Sequence, residues 1–211
     1  MALPDTVGIH DIKVDTSVGV VDVTLSLPGD RPEGELPLVL VLHYAGQPTE
    51  FYGHPLLEHL IVPGFQGLDA IIVAPTSLGG DWQQAQNRTA IFEILAKVEQ
   101  NYGTDPDRRV ITGYSMGAIG TWLISYERAN YFSAAIPIAG FPASLPACEI
   151  PTYAIVSDRD EIFPYSRFEQ ALAAESSSQL AHSVVSGAGH YQINAFTSAL
   201  SEAVKWLRTQ W

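Results

Sequence analysis

Cysteine is almost absent: Cys148 is the only one in 211 residues. An intrachain disulfide, a CxxC redox pair and a multi-cysteine zinc site are therefore excluded. Basic residues are scarce too, with 11 Lys and Arg against 23 Asp and Glu, a formal net charge of −12. A protein that tracks a nucleic-acid backbone needs a basic face, and no cluster of Lys or Arg occurs. The acidity reads as solubility. Long apolar runs are missing. The most apolar stretch, Leu36 to Leu42, contains Pro37 and falls far short of the about 20 residues of a membrane span. The start, MALPDTVGIHD, carries Asp5 and Asp11 and no apolar core, so it does not read as a signal peptide, and a cytoplasmic location is expected. The first strand-to-helix turn has no G-x-G-x-x-G, which argues against a dinucleotide enzyme. His43, His54 and His59 have no carboxylate at ligand spacing, so neither a metal nor another cofactor is expected.

What is present is apolar: 46% hydrophobic against 16% charged residues, enough for a core and too much for wholesale disorder. At about 100–200 residues per domain, and with no repeat, low-complexity tract or linker, residues 1–211 read as a single domain. Residues 9–27 alternate apolar and polar on either side of Thr16-Ser17-Val18-Gly19, the pattern of two antiparallel strands. A Gly/Pro/Glu loop, Pro28 to Pro37, follows. Then LVLVLH (38–43) runs apolar without alternation, as a strand buried on both faces does. AIIVAP (70–75), RVITGY (109–114), AAIPIA (134–139) and TYAIVS (152–157) look the same, and HSVVSG (182–187) is a weaker copy.

Helical spacing fills the intervals. Ile91, Ile94, Leu95 and Val98 share a face, as do Ala118, Trp122 and Ser125. Phe168, Ala171, Leu172 and Glu175 form a less apolar stripe, and Phe196, Leu200, Val204 and Leu207 a terminal one. Asn101-Tyr102-Gly103 stops the helix that carries Ile91, with Pro106 beyond. Alternating strands and helices predict an α/β fold: a mostly parallel central sheet flanked by helices, with antiparallel amino-terminal edge strands.

Gly113-Tyr114-Ser115-Met116-Gly117 matches G-x-S-x-G, between a buried strand and a helix. That is the context of a nucleophile elbow, which presents a serine hydroxyl above the carboxyl end of the sheet and aims the next amide, that of Met116, at the reacting oxygen. A serine nucleophile needs a base, and the base an orienting acid, in the chain order Ser, acid, His. Only His182 and His190 follow Ser115 at a distance. His182 opens the last strand and belongs at the sheet's amino-terminal edge. His190 follows that strand at the carboxyl edge, where sites form. The acid should follow TYAIVS, and spacing leaves Asp158 and Asp160 open. Trp82 lies in the loop after AIIVAP, at the same edge as Ser115, and is expected either to floor or wall the substrate pocket or to pack. Trp122 reads as core and Cys148 as an inert small residue.

The stretches RVITGYSMGAIGTW and FSAAIPIAG resemble the α/β-hydrolase superfamily, in particular serine esterases grouped with phospholipase/carboxylesterase, feruloyl-esterase and predicted-peptidase proteins. The likeness covers the chain from about Leu36 to the end and is most specific at the elbow, where Ala118 replaces a usual glycine. It implies that Val156-Ser157-Asp158-Arg159-Asp160, followed by Ile162-Phe163-Pro164, matches the family's H-G-x-x-D register, which favours Asp160 as the acid. Gly189-His190 matches its G-H. It further implies that His43-Tyr44-Ala45-Gly46 is the oxyanion loop, usually H-G-x-G, with the Ala45 and Met116 amides as donors. Tyr44 stands where glycine is usual; it is expected as a pocket wall, with its hydroxyl as a second option for an oxyanion donor. Only residues 140–151, with three prolines, separate AAIPIA from TYAIVS, so no lid domain is expected. The implied activity is hydrolysis of small, short-chain carboxylic esters through Ser115, Asp160 and His190, without cofactor, by a monomer or homodimer. A peptidase or amidase on the same triad and a non-catalytic binding protein of the same fold are the alternatives.

Overall fold

The computed structural model describes residues 3–29, 36–174 and 177–211. Residues 30–35 of the expected Pro28–Pro37 loop, and Glu175 of the fourth stripe, lie outside the described residues. Eight strands form one sheet: β1 (Gly8–Thr16), β2 (Gly19–Leu27), β3 (Leu36–Leu42), β4 (Ile71–Pro75), β5 (Thr104–Tyr114), β6 (Ala134–Ile138), β7 (Thr152–Ser157) and β8 (Leu180–Val185), in the spatial order β1-β2-β4-β3-β5-β6-β7-β8. β1 pairs with β2 and β2 with β4 antiparallel; every pair from β4 to β8 is parallel. Each apolar run of the sequence is thus a strand, and the alternating amino-terminal pair lies at one edge.

Two faces of β3 explain its unbroken hydrophobicity. Leu38, Leu40 and Leu42 point to one side, where Ile91, Ile94, Leu95 and Val98 of α2 (Ala85–Tyr102) cover them. Val39 and Val41 point to the other, beneath α1 (residues 54–64) and α5 (Thr197–Leu207). Phe196, Leu200, Val204 and Leu207 are all buried there, so the terminal stripe is the inward face of α5. α2 ends at Gly103, whose φ of 65° is the left-handed cap that glycine adopts without strain. α3 (Met116–Glu127) follows the elbow, and α4 (Tyr165–Ala174) buries Phe168 against Phe141 and Trp122.

α1 has no counterpart in the periodicity reading. Its middle turn, Leu57–Ile61, is wider than an α-helical one, and Pro55 and Pro63 bracket it. Pro55 sits in the first turn, where the missing N–H costs nothing, while Pro63 follows the widened turn and leaves one gap in the hydrogen bonding, which resumes with the Phe65 N–H on the Ile61 carbonyl at 2.8 Å. Leu56, Leu57, Leu60 and Ile61 are nevertheless fully buried, so packing holds a helix that local propensity disfavours. Among the described residues no helix is long and apolar enough to cross a membrane.

Parallel registry puts several strand ends at one edge. Leu42 pairs with Gly113, Tyr114 with Ile138, and Ser157 with Val185. The loops that leave β3, β5, β7 and β8 therefore open together.

Candidate active site

Ser115 sits between β5 and α3 with φ 58° and ψ −115°, a conformation that costs a non-glycine residue about 1–3 kcal/mol. Its surroundings hold it there. The Ser115 N–H donates to the Ile138 carbonyl at 3.0 Å. A Cβ at Gly117 would run into the Leu42 carbonyl, and one at Gly113 into the Gly117 carbonyl. Both glycines of the motif are thus needed for close approach of β3, β5 and α3. Gly140, after β6, passes equally close to the Ser115 carbonyl and lies against the Ala118 methyl, which accommodates alanine at the position where glycine is usual.

The hydroxyl of Ser115 meets His190 Nε2 at 2.9 Å, and His190 Nδ1 meets Asp160 Oδ2 at 2.8 Å. A carboxylate can only accept, so Nδ1 carries the proton and Nε2 is left to accept from the serine. All three side chains are buried. Asp160 Oδ1 accepts the N–H groups of Ile162 (2.9 Å) and Phe163 (2.7 Å). Burial alone pushes the Asp160 pKa up, but the bonds from His190, Phe163 and Ile162 outweigh it and the net shift is downward.

Asp158, the other candidate, is exposed and faces away. It accepts the Gly187 N–H at 2.6 Å and the Ser186 hydroxyl at 3.1 Å, tying β7 to the turn after β8. His182 lies within β8 and packs on Phe168, remote from this group.

Three further residues fix the backbone that carries the imidazole. The Tyr114 hydroxyl donates to the His190 carbonyl at 2.6 Å, Glu161 accepts the His190 N–H at 2.8 Å, and Gln192 accepts the Gly189 N–H at 2.7 Å. Burial, followed by the charges of Asp160 and Glu161, pushes the Tyr114 phenol up, so it stays a donor.

The loop after β3 is anchored by His43. Its Nδ1 donates to its neighbour's carbonyl, that of Tyr44, at 2.7 Å, and its Nε2 accepts the Ser77 N–H at 3.0 Å. These partners fix the neutral tautomer, and burial drives the His43 pKa down to about 4. Because the trans peptide is planar, drawing the Tyr44 carbonyl inward turns the Ala45 N–H the opposite way. Met116, the first residue of α3, has an N–H without an intrahelical acceptor.

Ala45, Tyr44 and Ser115 share a cavity of about 450 Å³ with Tyr114, Ile162, His190, Tyr191 and Ile193. Tyr44 is thus a wall residue, its ring edge-on to Tyr52 at 5.4 Å. Trp82 is not on the cavity. It is 1% exposed, its indole N–H donates to the His43 carbonyl at 2.9 Å, and its ring abuts Gly120, so of the two expected roles it has the packing one, behind the loop. Tyr191 and Ile162, 77% and 48% exposed, are the rim that motif reading missed. Their only sequence signal is an apolar side chain flanking each motif residue. Trp122 is core, and its N–H reaches the Gly140 carbonyl. Cys148 is half-buried in the 140–151 loop. His54 pairs with Asp11 at 2.9 Å, and among the described residues no group of three His, Cys, Asp or Glu side chains is arranged to hold a metal.

No protein-family model matches the chain, and no curated protein sequence matches it. Solved structures do. The chain superposes on a thermostable esterase with a TM-score of 0.75 and 20% identity, covering 95% of this chain and 62% of that one. A ferulic acid esterase gives 0.71 at 19% identity, covering 96% and 98%. S-formylglutathione hydrolase (FrmB) from Staphylococcus aureus gives 0.75 at 12% identity, covering 96% and 99%. The chain therefore has the α/β-hydrolase fold, and it spans less than two thirds of the length of the thermostable esterase.

Proposed function

We propose that the chain is a serine hydrolase that cleaves carboxylic esters through Ser115, His190 and Asp160. The observation that carries this is the unbroken relay from the strained serine, through Nε2 and Nδ1 of one imidazole, to a buried carboxylate. Ser115 Oγ attacks the ester carbonyl while His190 Nε2 takes its proton. The charge on the carbonyl oxygen is met by the Met116 and Ala45 amides, each such donor being worth about 2.7–4 kcal/mol of barrier. His190 returns the proton to the leaving alkoxide, which departs as the alcohol, and Asp160 stabilises the transient imidazolium. Water, activated by the same imidazole, then hydrolyses the acyl-serine and restores the hydroxyl. Esterases and serine hydrolases among the structural neighbours support the reaction class.

The preferred esters are small and short in the acyl chain, because the 140–151 connection between β6 and β7 contains no helix that would roof the cavity. A fluorophosphonate should attach at Ser115, and Ser115→Ala should abolish labelling and nearly all esterase activity. An adduct located on another residue, or a fully active alanine variant, would remove the reading.

A further inference from the structure

A second cavity, of about 540 Å³, opens between the 140–151 loop and α4. Phe141, Leu145 and Phe163 give it apolar walls; Arg167 and Gln170 stand at its α4 side. It adjoins the candidate site. Ile162 lines both cavities, and the Phe163 ring lies 5.5 Å from the His190 imidazole on one side and 5.5 Å from Phe141 on the other. It also lies on the His190 side of Ser115, with neither Tyr44 nor Ala45 in its walls. The leaving oxygen collects its proton from His190 Nε2 and departs on that side.

Arg167 is the only charged residue among those walls. Among the described residues four of the nine other cations are matched by a carboxylate, Lys13 by Asp22, Arg88 by Glu127, Arg108 by Asp105 and Arg109 by Glu99, and none of the nine lines this cavity. Among the described residues the Arg167 side chain has no ion pair; its backbone N–H bonds the Pro164 carbonyl in the first turn of α4. An open guanidinium beside apolar walls, in a chain of net charge −12, fits a planar oxyanion at the end of an apolar body.

From this we propose that the second cavity receives the leaving group and that Arg167 selects leaving alcohols bearing a carboxylate, so that the substrates are esters of hydroxy acids. The proposal rests on the esterase reading above. The ester C–O bond breaks, the acyl group passes to Ser115 Oγ, and the hydroxy acid leaves with the proton from His190.

The test compares the acetate ester of 3-(4-hydroxyphenyl)propanoate with that of the matching carboxamide. The expected kcat/KM ratio, carboxylate over carboxamide, is about fivefold at low salt, shrinking as salt screens the exposed cation. Arg167→Gln should bring the ratio to about one, Arg167→Glu below one, and Arg167→Lys should retain part of it. A wild-type ratio near one, or a ratio indifferent to Arg167→Gln, overturns the proposal. So does an Arg167-dependent preference found only when the carboxylate is on the acyl side, as in a monoaryl adipate. Failure of the esterase reading looks different: neither acetate turns over, and Ser115 is not labelled.

Discussion

On one side of the cavity, Asp160, Glu161, Tyr114 and Gln192 converge on Gly189 and His190, holding ring, amide and carbonyl separately. On the other side residues 45–50 are exposed, and one buried imidazole holds the root of the loop through the Tyr44 carbonyl. The first wall is redundant; the second has one tie on the Tyr44 carbonyl, that from His43, with the Trp82 indole on the His43 carbonyl behind it and a longer bond, 3.5 Å, from the Tyr52 hydroxyl to the Ala45 carbonyl. Position on the redundant wall should survive loss of a single backbone tie, so only the group that bonds the ring itself should matter greatly. On the wall proposed to bind the oxyanion, a residue that never touches substrate should matter nearly as much as one that does.

The largest expected effect is at the ring. Asp160→Asn should lower kcat by about 10⁴, because an amide leaves the imidazole in the wrong tautomer. Asp158→Asn should cost less than about tenfold, since Asp158 meets only the turn after β8 and surface hydrogen bonds are individually worth about 1 kcal/mol. Steady-state rates on an aryl acetate decide it. Equal losses in the two variants would erase the distinction between ring contact and backbone tie.

His43→Phe tests the other wall. Phenylalanine keeps the ring contacts with Trp82 and Tyr52 but removes both polar bonds, so the Ala45 amide loses its fixed direction. Turnover should fall about 10²-fold with KM little changed, the signature of one lost oxyanion donor. The same variant changes the pH dependence of stability. The His43 pKa is about 4 in the folded chain, below the ordinary 6.5, so between those values the unfolded chain binds the extra proton. The contribution of His43 is full above pH about 6.5 and is lost as pH falls to about 4, an order of 3 kcal/mol. Denaturant titrations at pH 7 and pH 4.5 should show a difference that shrinks in His43→Phe. An unchanged slope, with unchanged kcat, would deny that the His43 ring directs the wall.

The contrast between the walls also marks what could be read from the chain. The elbow was legible because G-x-S-x-G lies between two patterns of different period, and steric need for Gly113 and Gly117 makes the motif informative. The strands were legible because β3, β4 and β6 are buried on both faces and carry no polar interruption. The acid was not settled by spacing, since Asp158 and Asp160 both follow β7; what separates them is that the Ile162 and Phe163 amides fold Asp160 back toward His190. α1 escaped because Pro55 and Pro63 mask a helix that only tertiary burial sustains. Trp82 was open between two roles because loop position gives the sheet edge but not the side of the loop, and its indole points at the His43 carbonyl, behind the wall rather than in front of it.

Chain length probes how far the rigid surroundings extend around the acyl group. A fully buried methylene adds about 0.8 kcal/mol, nearly fourfold in specificity. The loop joining β6 and β7 supplies no helix above the cavity. Across aryl esters from acetate to laurate, kcat/KM should therefore peak between acetate and butyrate. A continued rise through octanoate would require an enclosed acyl tunnel and would contradict an open cleft.

The smallest effect is expected at Tyr44, and it separates two ways of making the oxyanion wall. If backbone amides do the work, the Tyr44 side chain is only a surface for the substrate. Its ring already rests edge-on against Tyr52, and burial, followed by the neighbouring Tyr52, pushes its pKa up, so the phenol is neutral at working pH. A neutral phenol is a competent donor, so chemistry alone does not decide; what favours the proposed Ala45 amide is that His43 holds the adjacent Tyr44 carbonyl, and with it the plane of the Ala45 amide, whatever the side chain at 44. Tyr44→Phe keeps the ring and removes only the hydroxyl. Turnover should then stay within about twofold, whereas loss of a true oxyanion donor costs about 10²–10³ in kcat. Binding of a tetrahedral mimic such as an aryl boronic acid should likewise be unaltered. If kcat and boronate affinity instead fall together by two orders of magnitude, the phenol is the donor, and the loop after β3 uses a side chain in place of a backbone amide.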